Sequence, residues 1–189
     1  MKKRIAIFIS GRGSNMEVIV KNAKNGILTN YCEVGVVLSN KKDAKGLEIA
    51  KNLGVDTLYI ESAGKSRSSF EAEVVEVLKP YHIDYIVLAG FMRILSKTLL
   101  REYKNRIINI HPADTNEFQG LHAYEWAFEE KKEFTKITVH YVDEGVDTGV
   151  IIAQQEVDLR GASTLEEVEQ RGLRVEHEFY SEVLKSIFA

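Results

Sequence analysis

The chain is short of cysteine, proline, long apolar runs and positive charge, and each shortage narrows what it can be. Cys32 is the only cysteine in 189 residues, so neither a disulfide framework nor a cysteine metal site is available, which suits a reducing compartment. A lone thiol of this kind is expected to pack as a small apolar residue. After a basic start, the apolar run Ile5 to Ile9 spans five residues, too short for a signal peptide, and no later stretch is long enough to span a bilayer. A cytoplasmic protein is expected. The formal net charge is -3 and the pI is near 6.0, which leaves no broad basic footprint for nucleic acid and makes small polar molecules the expected partners. His111, His122 and His140 do not fall at the helical spacing of metal ligands, so no metal is implied.

What is present reads as one α/β domain. A 44% hydrophobic share over 189 residues supports a substantial core, and the length argues against a second domain. Short runs rich in isoleucine and valine alternate with segments of helical period, the pattern of a mostly parallel central sheet with helices on both faces. Strands are predicted at Arg4 to Ile9, Glu33 to Leu38, Thr57 to Ile60, Asp84 to Leu88 and Arg106 to Ile110. A helix over Asn15 to Ala23 would place Met16, Ile19, Val20 and Ala23 on one stripe. Another over Ser69 to Leu78 would do the same for Phe70, Val74, Val77 and Leu78, and Pro80 ends it. Beyond His111 the pattern becomes a polar loop, a short helix around Ala123 to Glu129, and strands at Lys136 to Val142 and Val150 to Val157. A closing helix is predicted over Glu166 to Ile187, where Gly172 is a potential break.

Directly after the first predicted strand stands S-G-R-G-S-N, residues 10–15, with a helix expected from about Asn15. Glycines let backbone approach a phosphate, and the amides of a helix N-terminus favour an anion. The loop lacks the lysine of a nucleoside triphosphatase, and Met16 stands where a dinucleotide fingerprint has its last glycine. The second strand runs out as L-S-N-K-K, without the acidic residue that would hold an adenosine ribose. A phosphomonoester therefore fits better than a dinucleotide. The plainer alternative is a strand-to-helix turn capped by Ser14 or Asn15.

In open α/β sheets ligands gather beyond the carboxyl ends of the strands. The fourth strand runs there into Phe91-Met92-Arg93-Ile94-Leu95, a wall suited to a flat heteroaromatic ligand, and the fifth ends at Asn109 and His111. Residues two apart on a strand share a side, so Asn109 and His111 emerge together while Ile108 and Ile110 face the other way. An amide is a fixed hydrogen-bond donor, an imidazole titrates near neutrality, and a carboxylate can hold that imidazole in one tautomer. Asp147, in E-G-V-D-T-G, is the candidate carboxylate. Taken singly, these are a partly buried histidine, a turn cap and a turn aspartate between glycines. Taken as a set, they can run acyl transfer without a protein nucleophile.

The segments S-G-R-G-S-N, V-L-A-G-F-M-R-I-L-S, N-I-H-P, G-L-H, V-H-Y-V-D-E-G-V-D-T-G and the late E-H occur in a distinctive order and spacing. Over nearly its whole length the chain resembles the phosphoribosylglycinamide (glycinamide ribonucleotide) formyltransferases of purine synthesis. The resemblance implies a Rossmann-like formyltransferase fold in a single domain, residues 1–189, with a phosphate-binding half to about residue 100 and a catalytic and folate-binding half from about 101. It implies transfer of a formyl group from 10-formyltetrahydrofolate, as co-substrate, to the primary amine of glycinamide ribonucleotide. Carried over by position, Asn109, His111 and Asp147 match the catalytic trio, and Gly13, Ser14 and Asn15 the phosphate loop. Arg67 and Glu176 match ribonucleotide contacts, the latter near the amine. Met92, Arg93, Ile94, Leu95, Val142 and Glu144 match the folate pocket. The expected partners are the two small-molecule substrates, with no nucleic acid or membrane, in a monomer or homodimer.

Two departures stand out. Where the family reads H-P-S-L-L-P, then two residues and P-G, this chain runs from His111-Pro112 through Ala113-Asp114-Thr115-Asn116-Glu117-Phe118-Gln119 to Gly120. Loss of prolines and leucines predicts a more polar and more mobile loop beside the site. Leu173 stands where many relatives have a glutamine near the ribonucleotide phosphate, so one phosphate contact is lost or replaced. His122 is expected to orient or pack rather than to react. Among rival readings, a formyltetrahydrofolate hydrolase would carry the same trio with water as acceptor, and a methionyl-tRNA formyltransferase would add an RNA-binding domain. A nicotinamide oxidoreductase lacks its acidic ribose partner here, and a non-catalytic nucleotide-binding module leaves the trio unexplained.

Overall fold

Alternation along the strands sends side chains into two separate cores. In the computed structural model, which describes residues 1–189, β1 (Lys3–Ile9) turns Ile5, Ile7 and Ile9 to one core and Ala6 and Phe8 to the other. β2 (Cys32–Ser39), β3 (Thr57–Tyr59), β4 (Tyr85–Leu88) and β5 (Ile107–His111) lie parallel to it, and β6 (Phe134–Tyr141) and β7 (Ile151–Asp158) complete the sheet antiparallel. The result is one seven-stranded sheet of order β3-β2-β1-β4-β5-β6-β7. Its central strands are covered on both sides, which is why they read as nearly unbroken apolar runs.

The helices are α1 (Ser14–Asn25), α2 (Lys45–Asn52), α3 (Arg67–Leu78), α4 (Lys97–Glu102), α5 (Ala123–Glu129) and α6 (Leu165–Phe188). α1, α2, α5 and α6 pack on the face that buries Ile5, Ile7 and Ile9, whereas α3 and α4 cover the opposite face through Phe70, Val74, Leu78 and Leu99. Every expected strand and helix is present, with ends that differ by about two residues. α3 stops at Leu78 and gives way to a single 3-10 turn around Pro80. Gly172 does not interrupt α6, which is continuous from Leu165 to Phe188. α2 and α4 escape the sequence pattern because helices this short carry only one or two buried positions each. Cys32 is buried as expected, and burial pushes its thiol up to about 12. No helix is long and apolar enough to cross a membrane.

This topology makes the site. From β1 the chain leaves to one face through α1, and it returns through α3 on the other face to place β4 on the far side of β1. The loops after β1 and β4 therefore diverge, and a crevice opens between them at the carboxyl ends of the strands. β5 is the next strand along and brings its own C-terminal residues to the same edge.

Candidate active site

A cavity of about 740 Å³ fills that crevice. The turn after β1 lines it, where Gly13 holds φ 74 and precedes α1 with no side-chain cap. A Cβ on Gly13 would meet the Cα of Gly46 at 2.8 Å, and Gly46 in turn donates its amide to the Gly11 carbonyl at 3.0 Å. Glycine is thus required here by both the left-handed backbone and the close approach of α2. Neither Ser14 nor Asn15 caps α1, so the first-turn amides face the cavity without an internal partner. Met92, Ile94 and Val142 also line it, and Met92 and Ile94 remain exposed.

The same cavity takes in the trio. Asn109 and His111 leave β5 on the same side, as the strand period requires, while Ile108 and Ile110 enter the core. Asp147 Oδ2 is 3.2 Å from His111 Nδ1 and accepts the Gly120 amide at 2.9 Å. Its Oδ1 lies 3.4 Å from Asn109 Nδ2 and 3.5 Å from His140 Nε2. Asp147 holds φ 53, and its turn is built on Asp143, whose Oδ1 accepts from the Gly145 amide and the Thr148 hydroxyl. It is both a turn aspartate and a residue of the cavity lining, since aspartate tolerates the left-handed region. The Asn109 amide is 3.3 Å from His140 Nε2, another long contact of the kind that tightens when substrate binds.

An acceptor stands at each nitrogen of the His111 ring. Nε2 is 2.9 Å from the Phe118 carbonyl, which can only accept, so the neutral ring carries its proton there and turns Nδ1 toward Asp147. Burial pulls the imidazole below its ordinary range, and Asp147 and the Phe118 carbonyl offset this only in part. Burial alone would raise the Asp147 carboxyl, yet hydrogen bonds from His140 and Gly120, with His111 beside them, hold it below the usual carboxylate range. A carboxylate beside a neutral imidazole is equipped to receive a proton and to stabilise the cation that results.

Residues 3–184 match the family model described as formyl transferase. The chain belongs to the formyl transferase family. It is similar to the phosphoribosylglycinamide formyltransferase of Bacillus subtilis (strain 168), 38% identical over 187 residues that make up 98% of this chain and 94% of that protein. It is 40% identical over 177 residues to the trifunctional purine biosynthetic protein adenosine-3 of Drosophila pseudoobscura pseudoobscura, where 93% of this chain spans only 13% of that protein. Among solved structures, the phosphoribosylglycinamide formyltransferase from Bacillus halodurans superposes with a TM-score of 0.93 at 41% identity, covering 99% of this chain and 96% of that one. The glycinamide ribonucleotide transformylase 1 from Geobacillus kaustophilus gives 0.94 at 38% identity over 100% of both chains. The formyltransferase fold and the resemblance read from the motifs are both borne out.

Within this formyl transferase, Gly13, Ser14, Asn15, Met92, Arg93, Ile94, Leu95, Val142 and Glu176 line the cavity with the trio. Arg67 and Glu144 do not. Arg67 is the exposed first residue of α3, and Glu144 is exposed at the rim, 4.0 Å from Lys97 Nζ. Arg93 donates to the Ser62 and Lys65 carbonyls, which ties the segment before Arg67 to the cavity wall. Leu173 lines the cavity without offering a polar group. His122, at φ 66, also lines it and pairs with Glu125.

Glu176 is buried against the cavity with no cation beside it. Tyr124 donates its hydroxyl to Oε2 at 2.6 Å and Asn15 Nδ2 approaches Oε1 at 3.3 Å. Burial pushes this carboxyl above its ordinary range, and those two donors only temper the effect. Tyr124, bonded to Glu176, and His140, beside Asn109 and Asp147, are the neighbours of the candidate residues that sequence reasoning passed over. His140 sits opposite Asn109 only through the antiparallel register of β5 and β6. For Tyr124 a signal existed in Gly172, since a Cβ there would overlap the Tyr124 ring and hydroxyl. The loop expected to be mobile is instead fastened, with Ala113, Asp114 and Thr115 buried.

Proposed function

We propose that this formyl transferase moves the formyl group of 10-formyltetrahydrofolate to the primary amine of glycinamide ribonucleotide, a step of de novo purine biosynthesis carried out in the cytoplasm. The observation that carries the reading is the convergence of Asn109, His111 and Asp147 in one cavity that is also lined by the glycine turn after β1 and by the apolar side chains of Met92, Ile94 and Val142. The first-turn amides at Gly13, Ser14 and Asn15 take the phosphate, with Arg67 approaching from α3, and Glu176 receives the amine end. Met92, Ile94, Leu95 and Val142, with Arg93 and Glu144 toward the rim, take the folate. Exposed apolar side chains facing a cavity suit a flat ring.

The folate supplies an activated formyl group bound through nitrogen. Asn109 donates to the formyl oxygen as the amine adds to the formyl carbon, and the tetrahedral centre puts negative charge on that oxygen. His111, neutral before reaction, gains through Nδ1 the proton that the amine loses, aided by Asp147 or a water that Asp147 orients. The imidazolium then steadies the same charge, and Asp147 stabilises the imidazolium. As the carbon–nitrogen bond to folate breaks, His111 returns the proton to the departing nitrogen, so the enzyme ends as it began. Purified protein should release deformylated folate only when glycinamide ribonucleotide is present. Release without the amine would make it a hydrolase, and no release in either tube would overturn the reading.

A further inference from the structure

We propose that Asp114 is a positioning residue, anchoring the 113–120 loop so that the Phe118 carbonyl holds His111 in the orientation and tautomer that the reaction uses. Asp114 lies outside the cavity lining and touches no reacting group. It is 8% exposed, and every one of its oxygens is engaged. Oδ1 accepts from the Asn116 amide at 3.0 Å, Asn116 Nδ2 at 3.1 Å and Gln154 Nε2 at 3.0 Å, and Oδ2 accepts from Lys136 Nζ at 2.8 Å. Its backbone carbonyl accepts from both Glu117 and Phe118 at 2.9 Å. That turn sets the direction of the next peptide, whose carbonyl meets His111 Nε2.

The rest of the loop is fastened to match. Thr138 donates its hydroxyl to the Ala113 carbonyl at 2.7 Å, and Gln154 also donates to that hydroxyl at 3.0 Å. The Phe118 ring stacks on Trp126 at 4.9 Å between centroids. At the far end the Gly120 amide reaches Asp147. One polar anchor on β6 and β7 therefore governs a hydrogen bond to each of two members of the trio. Charge-assisted bonds here do what prolines, absent between Ala113 and Gly120, would do through chain stiffness.

The anchor itself does not titrate near neutrality. Burial acts to raise Asp114, but Lys136, Asn116 and Gln154 outweigh it and bring the carboxyl down to about 2. Lys136 also feels Glu117 and Glu156. The groups facing His111 are Asp147, His140 and the Phe118 carbonyl. A changed pH profile above pH 5 in an Asp114 variant thus reports His111 rather than Asp114.

The proposal rests on His111 taking part in the reaction, and two readouts separate the claims. The first is the His111 ring titration by NMR, its signal identified by loss in His111→Gln. The second is the rate of formyl transfer. Asp114→Ala should lower kcat about 10- to 100-fold, as lost supporting contacts and small misplacements do. KM for glycinamide ribonucleotide should change less than about twofold, since binding contacts remain. The His111 midpoint and the acid limb of kcat should move together to lower pH, because the Phe118 carbonyl favours the charged ring. Asp114→Asn, which keeps an acceptor for Asn116 and Gln154, should restore most of the rate. Should Asp114→Ala not fold, Lys136→Met removes the exposed arm of the anchor and must shift the midpoint in the same direction. An unmoved His111 midpoint in a folded variant overturns the proposal. A moved midpoint with an unchanged rate would uphold the anchor and overturn the catalytic assignment of His111.

Discussion

Replacing Gly172 by alanine sets two well-measured effects against each other. In an ordinary helix interior the change is favourable by about 1 kcal/mol, because alanine loses less backbone freedom on folding. At this position the new Cβ would overlap Cε1, Cζ and the hydroxyl oxygen of Tyr124. The ring cannot simply swing away, since its hydroxyl is bonded to Glu176 at 2.6 Å. Forcing an extra carbon into such packing costs about 1 to 3 kcal/mol. Breaking a hydrogen bond to a carboxylate costs about 1.5 to 3 kcal/mol more. The balance is a loss of roughly 2 to 5 kcal/mol, which for a chain of this size lowers Tm by roughly 5 to 15 °C. Calorimetric or urea unfolding of Gly172→Ala measures it directly. The decisive arm repeats the substitution in Tyr124→Ala, where the overlap is gone and alanine should stabilise by about 1 kcal/mol. If Gly172→Ala stabilises the parent chain as well, the glycine is not there to admit Tyr124, and the argument fails.

Three further outcomes follow from the site. Asn109→Ala should cut turnover about 10²- to 10³-fold, the usual cost of one oxyanion donor, while calorimetry shows ribonucleotide affinity largely retained; a matching loss of affinity would assign Asn109 a structural role. Glu176 titrates above its unfolded value of 4.5, so its contribution to stability is present below pH 4.5 and is lost as pH rises through the folded value. Glu176→Gln should therefore be more stable than the parent at pH 8 and lose that advantage at pH 4, as read from Tm at both values. His111 and His177 titrate below 6.5 through burial, so the unfolded chain binds more protons and stability falls as pH drops from about 6.5 toward their folded values. The depressed Asp147 carboxyl adds a loss only at still lower pH, as pH falls below its unfolded value of 3.8 toward its folded one. In Glu176→Gln, where the opposing contribution of that carboxyl is gone, a Tm that is flat from pH 7 to 4 would contradict the two histidine assignments.

How far each part of the site could be read depends on the range of the interaction that defines it. Asn109 and His111 were legible as a pair because a strand has period two and both residues lie on β5. The turn at Gly13 was legible because a left-handed residue between a strand and a helix calls for glycine, although the rival reading, a Ser14 or Asn15 cap, yielded only to the observed absence of a side-chain cap. His140 was not legible, since its place opposite Asn109 depends on strand register, which no local pattern carries. Nor was the partnership of Tyr124 with Glu176, residues 52 apart in the chain. The anchoring of the loop after Pro112 was not legible, because the Lys136 and Gln154 that hold Asp114 lie 22 and 40 residues further along the chain.

The sequence by itself determined an α/β domain, its seven strands and all but two of its helices, the glycine turn after the first strand and the residue types able to run acyl transfer. These follow from backbone conformation and side-chain periodicity, which act over a few neighbours. Only the tertiary structure decided that β4 returns beside β1, that Asp147 closes on His111, and that Phe118 fixes the ring from the other side. It also left Arg67 and Glu144 outside the cavity that the motifs had grouped them with. The physical reason is that proton affinity and hydrogen-bond geometry depend on burial and on angstrom-scale distances between distant segments, and only the packed core sets those.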